Sequence, residues 1–202
     1  MPAKLPLAFQ LNGRSLFLQQ FLKHPLQIGS VIPSSHFLER RIVRTAEIEA
    51  AKVVVELGPG TGGTTRALLA ALPPHAMLLA IEINPRFHAM VSAIADPRLI
   101  VHRGGADDLG EALARHSLAA PDAIVSGIPF STMPADVGLR TMAAIASSLT
   151  PGGRFVAYQF SRRVDALCRD FLGTPQTTIE LLNIPPMRVY RWCKRPGAPR
   201  KS

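Results

Sequence analysis

The sequence predicts an α/β fold: a seven-stranded, mostly parallel sheet that is covered by helices and ends in an antiparallel hairpin. Short apolar runs typical of buried strands alternate with longer segments of helical periodicity, which is the pattern of a parallel sheet with helices on both faces. Turn sequences such as LPPH, ADPR, AAPD and TPGG separate the two kinds of segment. The 202 residues, 47% of them apolar, fit one domain with a sizeable core. We therefore expect a single domain over residues 1–202.

The predicted elements follow one another along the chain. Parallel strands are expected at Lys52–Leu57, Met77–Ile83, Arg98–His102, Asp122–Ile128 and Arg154–Phe160. Helices are expected at Gly63–Leu72, Pro85–Ile94, Ala106–Arg115, Ala135–Leu149 and Arg162–Leu172. The hairpin strands are expected at Thr177–Ile184 and Met187–Cys193, joined by two prolines.

The segment before the first strand is predicted to be helical. Within residues 1–24, one face of a helical wheel collects Leu7, Leu11, Leu18, Phe21 and Leu22, although Gly13 weakens the middle of the helix. A helix packed on the core would show a similar pattern. The absence of acidic residues favours an amphipathic helix on a membrane surface. Residues 25–50 are expected to form a helical lid.

The net charge of +9 is concentrated at the two ends of the chain. Residues 1–38 carry three basic residues and no acid, and residues 186–202 carry six basic residues and no acid. The ends are either solvated tails or surfaces for an anionic partner, nucleic acid or lipid.

The composition also constrains the compartment. Two cysteines form no disulfide framework and no metal-ligand cluster, which fits a reducing environment without a bound metal. No uncharged apolar run reaches the length of a membrane span, and no signal-peptide pattern opens the chain. We expect a cytoplasmic protein.

Four glycines, Gly58, Gly60, Gly62 and Gly63, lie between the first strand and its helix. Glycines at this place let a ligand approach the backbone closely, at the edge where parallel sheets bind ligands. Glu82 ends the second strand, where a carboxylate can accept both hydroxyls of a ribose. The Glu-Leu-Gly-Pro-Gly-Thr-Gly turn resembles motif I of the class I S-adenosylmethionine-dependent methyltransferases, which have a Rossmann-like fold.

This resemblance implies S-adenosylmethionine as the cofactor and S-adenosylhomocysteine as its product. The implied cofactor contacts are Glu56, Gly58, Gly60, Thr61, Gly62, Glu82 and Ile83. After the third strand, Ala106 stands next to the usual glycine, and the acids Asp107 and Asp108 follow. Asp107 is the better candidate for the adenine amino group, and it could also cap the helix.

The fourth strand leads into Ser-Gly-Ile-Pro-Phe, residues 126–130. This resembles the polar-x-Pro-aromatic motif that surrounds the substrate nitrogen in amino-methylating enzymes. The motif implies catalytic positions at Ser126, Gly127, Ile128 and Phe130, with Ser126 also close to the cofactor. Phe130 would form an apolar wall that excludes water. A proton leaving the amine would go to water or to Tyr158.

Together with FLKHPLQIGSVIPSS and NIPPMRVYRW, these motifs resemble the bacterial phospholipid N-methyltransferases. The resemblance implies successive methylation of phosphatidylethanolamine toward phosphatidylcholine. From the charge of the two ends, we expect the protein to attach peripherally to the inner membrane, at an anionic surface, through its N-terminal helix and basic C-terminus. Ser34 and Ser35 are the matching substrate positions. The lipid phosphate would be held by arginines, with Arg40, Arg188 and Arg191 as candidates.

Two other functions remain open. Adenine N6-methyltransferases of ribosomal RNA share the glycine turn and a Leu/Ile-Pro-aromatic motif, and positive charge suits RNA. The asparagine usual in that motif is replaced by Ser126, and no RNA-binding domain follows, so we expect no nucleic-acid partner and no obligate protein partner. A non-enzymatic binding module is disfavoured because the cofactor turn and the acceptor motif are both intact.

Overall fold

A computed structural model describes residues 34–195 of the protein. The helices are α1 (His36–Ala46), α2 (Gly63–Ala71), α3 (Pro85–Ser92), α4 (Leu109–Arg115), α5 (Ala135–Ser148) and α6 (Arg163–Leu172). The strands are β1 (Val53–Leu57), β2 (Met77–Glu82), β3 (Leu99–Arg103), β4 (Ala123–Ser126), β5 (Arg154–Gln159), β6 (Gln176–Glu180) and β7 (Met187–Cys193).

The seven strands form one sheet in the order β3-β2-β1-β4-β5-β7-β6. Strands β1 to β5 are parallel to one another, and β7 is antiparallel to both β5 and β6. The predicted fold class, including the antiparallel hairpin, is confirmed. Because β6 runs in the same direction as the parallel strands, its carboxyl end lies at the same edge of the sheet as theirs.

Helices cover both faces of the sheet, and alternate residues of β1 show how. Val53, Val55 and Leu57 pack into a core shared with α4, α5 and α6. Val54 packs into a second core shared with α1 and α2. Glu56 points to the same side as Val54, because side chains alternate along a strand. A carboxylate therefore enters the α1/α2 face near the carboxyl edge of the sheet.

Helix α1 is fixed at both ends by polar contacts with distant parts of the chain. At its start, the backbone N–H of Ser35 donates to Asn183 Oδ1 at 2.9 Å. At its end, Glu47 accepts two hydrogen bonds from Arg191, at 2.6 and 3.0 Å, and the Ala46 carbonyl accepts one from Arg154 at 2.8 Å. The helix thus spans from the carboxyl edge to the opposite edge of the sheet.

Several predicted boundaries differ from the structure, and three of the differences have a clear physical reason. Strand β4 ends at Ser126 and not at Ile128, since Pro129 interrupts strand geometry. The helix expected at Ala106–Arg115 begins as a separate 3-10 turn, Ala106–Asp108. The strand expected to reach Ile184 ends at Glu180, because the segment after it turns around the buried Asn183.

The predicted amphipathic helix over residues 1–24, residues 25–33 of the predicted lid and residues 196–202 lie outside the described residues. Within residues 34–195, no helix is long and apolar enough to cross a bilayer.

Candidate active site

The glycine turn after β1 adopts a conformation that needs glycine. Gly58, Gly60 and Gly62 have φ angles of 71°, 57° and 83°, the left-handed region in which a side chain is strained. The turn is held to the sheet because the Gly58 N–H donates to the Ile81 carbonyl at 3.0 Å. Gly62 precedes α2 without a capping side chain, so the first backbone N–H groups of the helix have no side-chain acceptor from that position. Thr61 is exposed at the tip of the turn.

Glu56 is a buried carboxyl group with one unused oxygen. Its Oε2 accepts a hydrogen bond from the Thr65 hydroxyl at 2.6 Å, whereas its Oε1 has no hydrogen-bond partner. Burial, reinforced by the charges of Glu82 and Glu39, raises the pKa of Glu56 to about 8. A buried acceptor without a donor is costly, and a cationic ligand next to it would relieve this cost.

Glu82 lies at the end of β2 and reaches back to the glycine turn. Its Oε2 accepts from the Gly60 N–H at 3.2 Å and its Oε1 from the Asn84 N–H at 2.8 Å. Each carboxylate oxygen keeps a lone pair for a further donor, such as a ribose hydroxyl. Ile83, which follows Glu82, is exposed and offers an apolar surface beside it.

Glu39, on α1, is a site residue that the sequence analysis missed. Its Oε1 lies over the start of α2, only 2.5 Å from where a β-carbon on Gly63 would be. Partial burial raises the pKa of Glu39. Only the packing of α1 across the sheet brings this carboxyl group to the turn, and its local sequence carries no signal of that contact.

The glycine turn is therefore surrounded by three acids: Glu39, Glu56 and Glu82. Such a pocket attracts positive charge. S-adenosylmethionine carries an ammonium and a sulfonium group, both positively charged. The three carboxyl groups therefore fit this cofactor. Glu56 would hold the ammonium group and Glu82 the ribose.

The segment after β4 meets the glycine turn at Gly127. A methyl group placed there would lie 3.0 Å from the Gly58 carbonyl oxygen and would overlap the Tyr158 hydroxyl. Only glycine allows the two loops to approach this closely. The junction is therefore the place where a group bound to the glycine turn can meet one bound to the segment after β4.

The structure places two residues of this segment, Ile128 and Phe130, differently from what the motif implies. The Ile128 carbonyl already accepts hydrogen bonds from Gln159 Nε2, at 2.5 Å, and from the Phe130 N–H, at 3.0 Å, so both of its lone pairs are used. It therefore has no lone pair left for a substrate amine. Phe130 is fully buried in the core with Met142 and is not a wall of the cleft. Ser126 is also buried, and its hydroxyl accepts from the Ile128 N–H at 3.3 Å.

Tyr158 is poorly suited to accept a proton. Burial and the nearby charge of Glu56 raise its pKa. Its hydroxyl lies 3.4 Å from that of Thr64, so it is positioned by a neutral partner. A phenol held in this way keeps its proton and can orient a ligand through its hydroxyl.

The adenine side of the pocket differs from expectation in one respect. Asp107 lies inside the 3-10 turn, and the capping acceptor is Asp108, which accepts from the Gly105 N–H at 3.2 Å. The carboxylate of Asp107 instead accepts from Arg140 Nε at 3.3 Å. Its contact with adenine stays a prediction, as does that of Ala106, which is half-buried beside it.

The candidate substrate residues lie at two different edges of the sheet. Arg188 pairs with Gln159 at the carboxyl edge, where its guanidinium donates to the Phe160 carbonyl at 3.0 Å. Arg191 is engaged by Glu47 at the far edge, so it cannot serve a ligand at the cleft.

The remaining candidates are at the start of α1. Arg40 is exposed and lies 2.8 Å from the ring of His36. Ser34 is half-buried, and Ser35 caps the helix by accepting from the Leu38 N–H at 3.2 Å. Ser35 therefore has a structural role.

Comparison with known proteins agrees with this geometry. The ornithine lipid N-methyltransferase of Singulisphaera acidiphila is 31% identical over 185 residues, which cover 87% of this chain and 93% of that protein. The chain belongs to the same family as this N-methyltransferase. It is thus an S-adenosylmethionine-dependent methyltransferase, as the glycine turn predicted.

Other relatives match a smaller part of the methyltransferase. The ribosomal RNA small subunit methyltransferase A of Phenylobacterium zucineum is 37% identical over 103 residues, 48% of this chain and 34% of that protein. No protein-family model matches the chain.

Solved structures share the fold at low identity. The N-methyltransferase NodS of Bradyrhizobium japonicum, in complex with S-adenosylhomocysteine, has a TM-score of 0.63 at 14% identity, over 87% of this chain and 97% of that one. The 1,6-didemethyltoxoflavin-N1-methyltransferase of Burkholderia thailandensis has a TM-score of 0.62 at 17% identity, over 96% and 92% of the two chains.

Proposed function

We propose that this methyltransferase transfers methyl groups to the primary amine of a membrane lipid. The observation that carries the proposal is the similarity to a lipid N-methyltransferase along nearly the whole of both chains. The similarity to the ribosomal RNA enzyme covers about half of this chain, so it supports a shared cofactor-binding fold more than a shared substrate.

Two lipid head groups are candidates for the substrate. Phosphatidylethanolamine carries a primary amine and a phosphate, and it is the substrate that the sequence motifs favour. Ornithine lipid carries a primary amine and a carboxylate, and the relative from Singulisphaera favours it. In both lipids an ammonium group lies a few atoms from an anion, so one arrangement of charges serves both.

The charges at the carboxyl edge match such a zwitterion. Glu39 would attract the ammonium group toward Gly127 and Tyr158, while Arg188 or Arg40 would hold the anion. Methyl transfer requires a neutral amine, because only a nitrogen lone pair can attack the methyl carbon. Glu39, with its raised pKa, is better suited than Tyr158 to accept that proton. S-adenosylmethionine, when bound, would supply the methyl carbon that the amine nitrogen attacks, and its sulfur would keep the electron pair of the broken carbon–sulfur bond.

We also propose that the enzyme works at an anionic membrane surface, with its basic ends as attachment sites. The three basic residues within 1–38 and the six within 186–202 support this. A basic residue that reaches such a surface would contribute about 1 kcal/mol. Arg191 is excluded from this contribution because it is paired with Glu47.

A labelling experiment tests the substrate class. The full chain is given S-adenosylmethionine with a radioactive methyl group, together with phosphatidylethanolamine vesicles, ornithine lipid vesicles or small-subunit ribosomal RNA. Phosphatidylglycerol vesicles, which carry no amine, are the control. We expect label in one or both aminolipids and none in the control. Label in RNA alone, or in no aminolipid, would overturn the proposal.

A further inference from the structure

In the turn between β6 and β7, a polar residue is buried and the apolar residues around it are exposed. Asn183 is 2% exposed, whereas its neighbours Leu181, Leu182 and Ile184 are 72%, 61% and 74% exposed. Single apolar residues on a surface need no explanation, but a buried polar residue within a cluster of exposed aliphatic ones is informative.

Hydrogen bonds hold the turn in this arrangement. Asn183 accepts from the Ser35 N–H at 2.9 Å and donates to the Pro185 carbonyl at 2.8 Å. The Leu182 N–H donates to Glu180 Oε1 at 3.0 Å. Glu180 is itself paired with Arg41 at 2.6 Å, so its carboxylate is neutralised. The aliphatic side chains are therefore presented outward by a fixed backbone.

The turn lies at the edge of the sheet that carries the active site. It follows the carboxyl end of β6, which points the same way as the carboxyl ends of β1, β4 and β5. Phe160, which follows β5, is 58% exposed at this edge. It is joined to β7 through the bond from Arg188 to its carbonyl.

The charge beside the apolar turn is positive. Arg162 and Arg163 follow Phe160 and are exposed, and Arg188 lies at the start of β7. Of the acids nearby, Glu180 is paired with Arg41, and Asp165 lies near Arg162 and Arg188 around Tyr190. An aliphatic tip flanked by arginines is complementary to a bilayer with anionic head groups: the side chains enter the acyl boundary and the guanidinium groups meet phosphates.

We infer that the β6–β7 turn is a membrane-inserting wedge that places the active-site edge against an anionic bilayer. The function of the wedge, to bring the active site to a lipid, rests on the proposed function. Its binding to vesicles can be measured without methyl transfer. It is separate from the attachment proposed for the ends of the chain.

Vesicle flotation with matched variants tests the wedge. The full chain, L181S/I184S and the control M90S/L139S are mixed with vesicles of equal parts phosphatidylcholine and phosphatidylglycerol. The control changes two large apolar side chains on α3 and α5, which are 48% and 50% exposed. Loss of two aliphatic contacts should lower the partition coefficient of L181S/I184S by at least about tenfold, and the control should bind like the full chain. Equal binding by all three proteins would overturn the inference.

A second measurement reports insertion directly. In L182W, the new indole should be quenched by brominated lipids when the protein is bound to vesicles. The native Trp192 is buried and provides a constant background. The inference would be overturned if vesicle-bound L182W showed no quenching. It would also be overturned if size-exclusion chromatography showed that the turn joins two copies of the protein in solution.

The labelling assay separates this inference from the proposed function. Vesicle binding that depends on the turn, without label in any aminolipid, would support the wedge and refute the substrate. Methylation of aminolipid in detergent micelles by L181S/I184S, together with unchanged flotation, would support the substrate and refute the wedge.

Discussion

Individual residues in this methyltransferase divide between two tasks that look alike in the sequence, binding ligands and supporting the loops that bind them. Glu82 supports the loops because its carboxylate accepts from the backbone N–H groups of Gly60 and Asn84, and we propose that it also binds the ribose of the cofactor. Phe130 stands in a motif associated with substrate, yet it is a core residue. The structure therefore changes what substitutions at these positions should do.

The variant Glu82→Ala should weaken S-adenosylmethionine binding by about 1–3 kcal/mol, because the ribose hydroxyls lose their charged acceptors. It should also lower the melting temperature, since two backbone N–H groups lose a partner. Calorimetric titration and thermal unfolding measure the two effects. Glu111→Ala, which removes an exposed carboxylate on α4, is the control and should change neither quantity. Unaltered affinity in Glu82→Ala would remove this residue from the cofactor site.

The variant Phe130→Ala should lower the free energy of unfolding by about 3–5 kcal/mol, the range for emptying a buried aromatic site. Urea denaturation measures it. Phe160→Ala, at an exposed position, should cost far less. Equal small losses in the two variants would show that Phe130 is not part of the core.

The variant Glu39→Gln should reduce kcat near neutral pH by about 100-fold if this carboxyl group accepts the proton of the amine. The deficit should shrink as pH rises, because more of the amine is then already neutral in solution. A pH–rate profile with aminolipid in micelles measures this. A deficit that stays constant across pH would assign Glu39 to positioning alone.

At the scale of secondary-structure elements, β7 connects the two edges of the sheet. Arg188 lies at its beginning, beside the cleft, and Arg191 lies three residues further on, beside Glu47 at the end of α1. Two arginines of one strand thus lie at different places: Arg191 anchors a helix, whereas Arg188 lies where we propose that the lipid anion binds.

The pair Arg188→Gln and Arg191→Gln should separate these purposes. Arg188→Gln should raise KM for the lipid several-fold with little change in melting temperature, because it removes a donor for the head-group anion. Arg191→Gln should lower the free energy of unfolding by up to about 1 kcal/mol, because its bidentate pair with Glu47 is only partly buried. Steady-state kinetics and urea denaturation on both variants measure this. A raised KM in Arg191→Gln and a loss of stability in Arg188→Gln would contradict the prediction.

Local sequence predicted the elements well and their distant contacts poorly. The parallel strands and their helices follow from apolar periodicity, and the cofactor turn follows from glycines that no other residue could replace. The end of β6 could not be predicted, because Leu181 and Leu182 continue an apolar run and only a bond from Ser35, 148 residues away, fixes Asn183 inside. Glu39 was missed for the same reason.

At the scale of the whole molecule, the charge of the buried acid Glu56 opposes folding. Glu56 has its ordinary pKa of 4.5 in the unfolded chain and a pKa of about 8 in the folded protein. Between these values the folded state binds more protons than the unfolded state does. Its contribution to stability is therefore complete below about pH 4.5 and is lost as pH rises toward 8.

The cofactor-free protein should thus lose roughly several kcal/mol of stability from this group between those limits. Glu56→Gln, which places a neutral amide there, should flatten this part of the profile. Urea denaturation at a series of pH values compares the two proteins. Parallel profiles would show that Glu56 is ionised in the folded state.

The hydrogen bond between Ser35 and Asn183 joins segments that are remote in sequence but form one small unit at the carboxyl edge. Asn183 binds the backbone at the start of α1, and α1 places Glu39 over the cofactor turn. A chimera that exchanges the β6–β7 turn with that of a relative therefore replaces only half of this unit. Grafting between family members has to transfer the start of α1 and the turn together, as though they were one contiguous module.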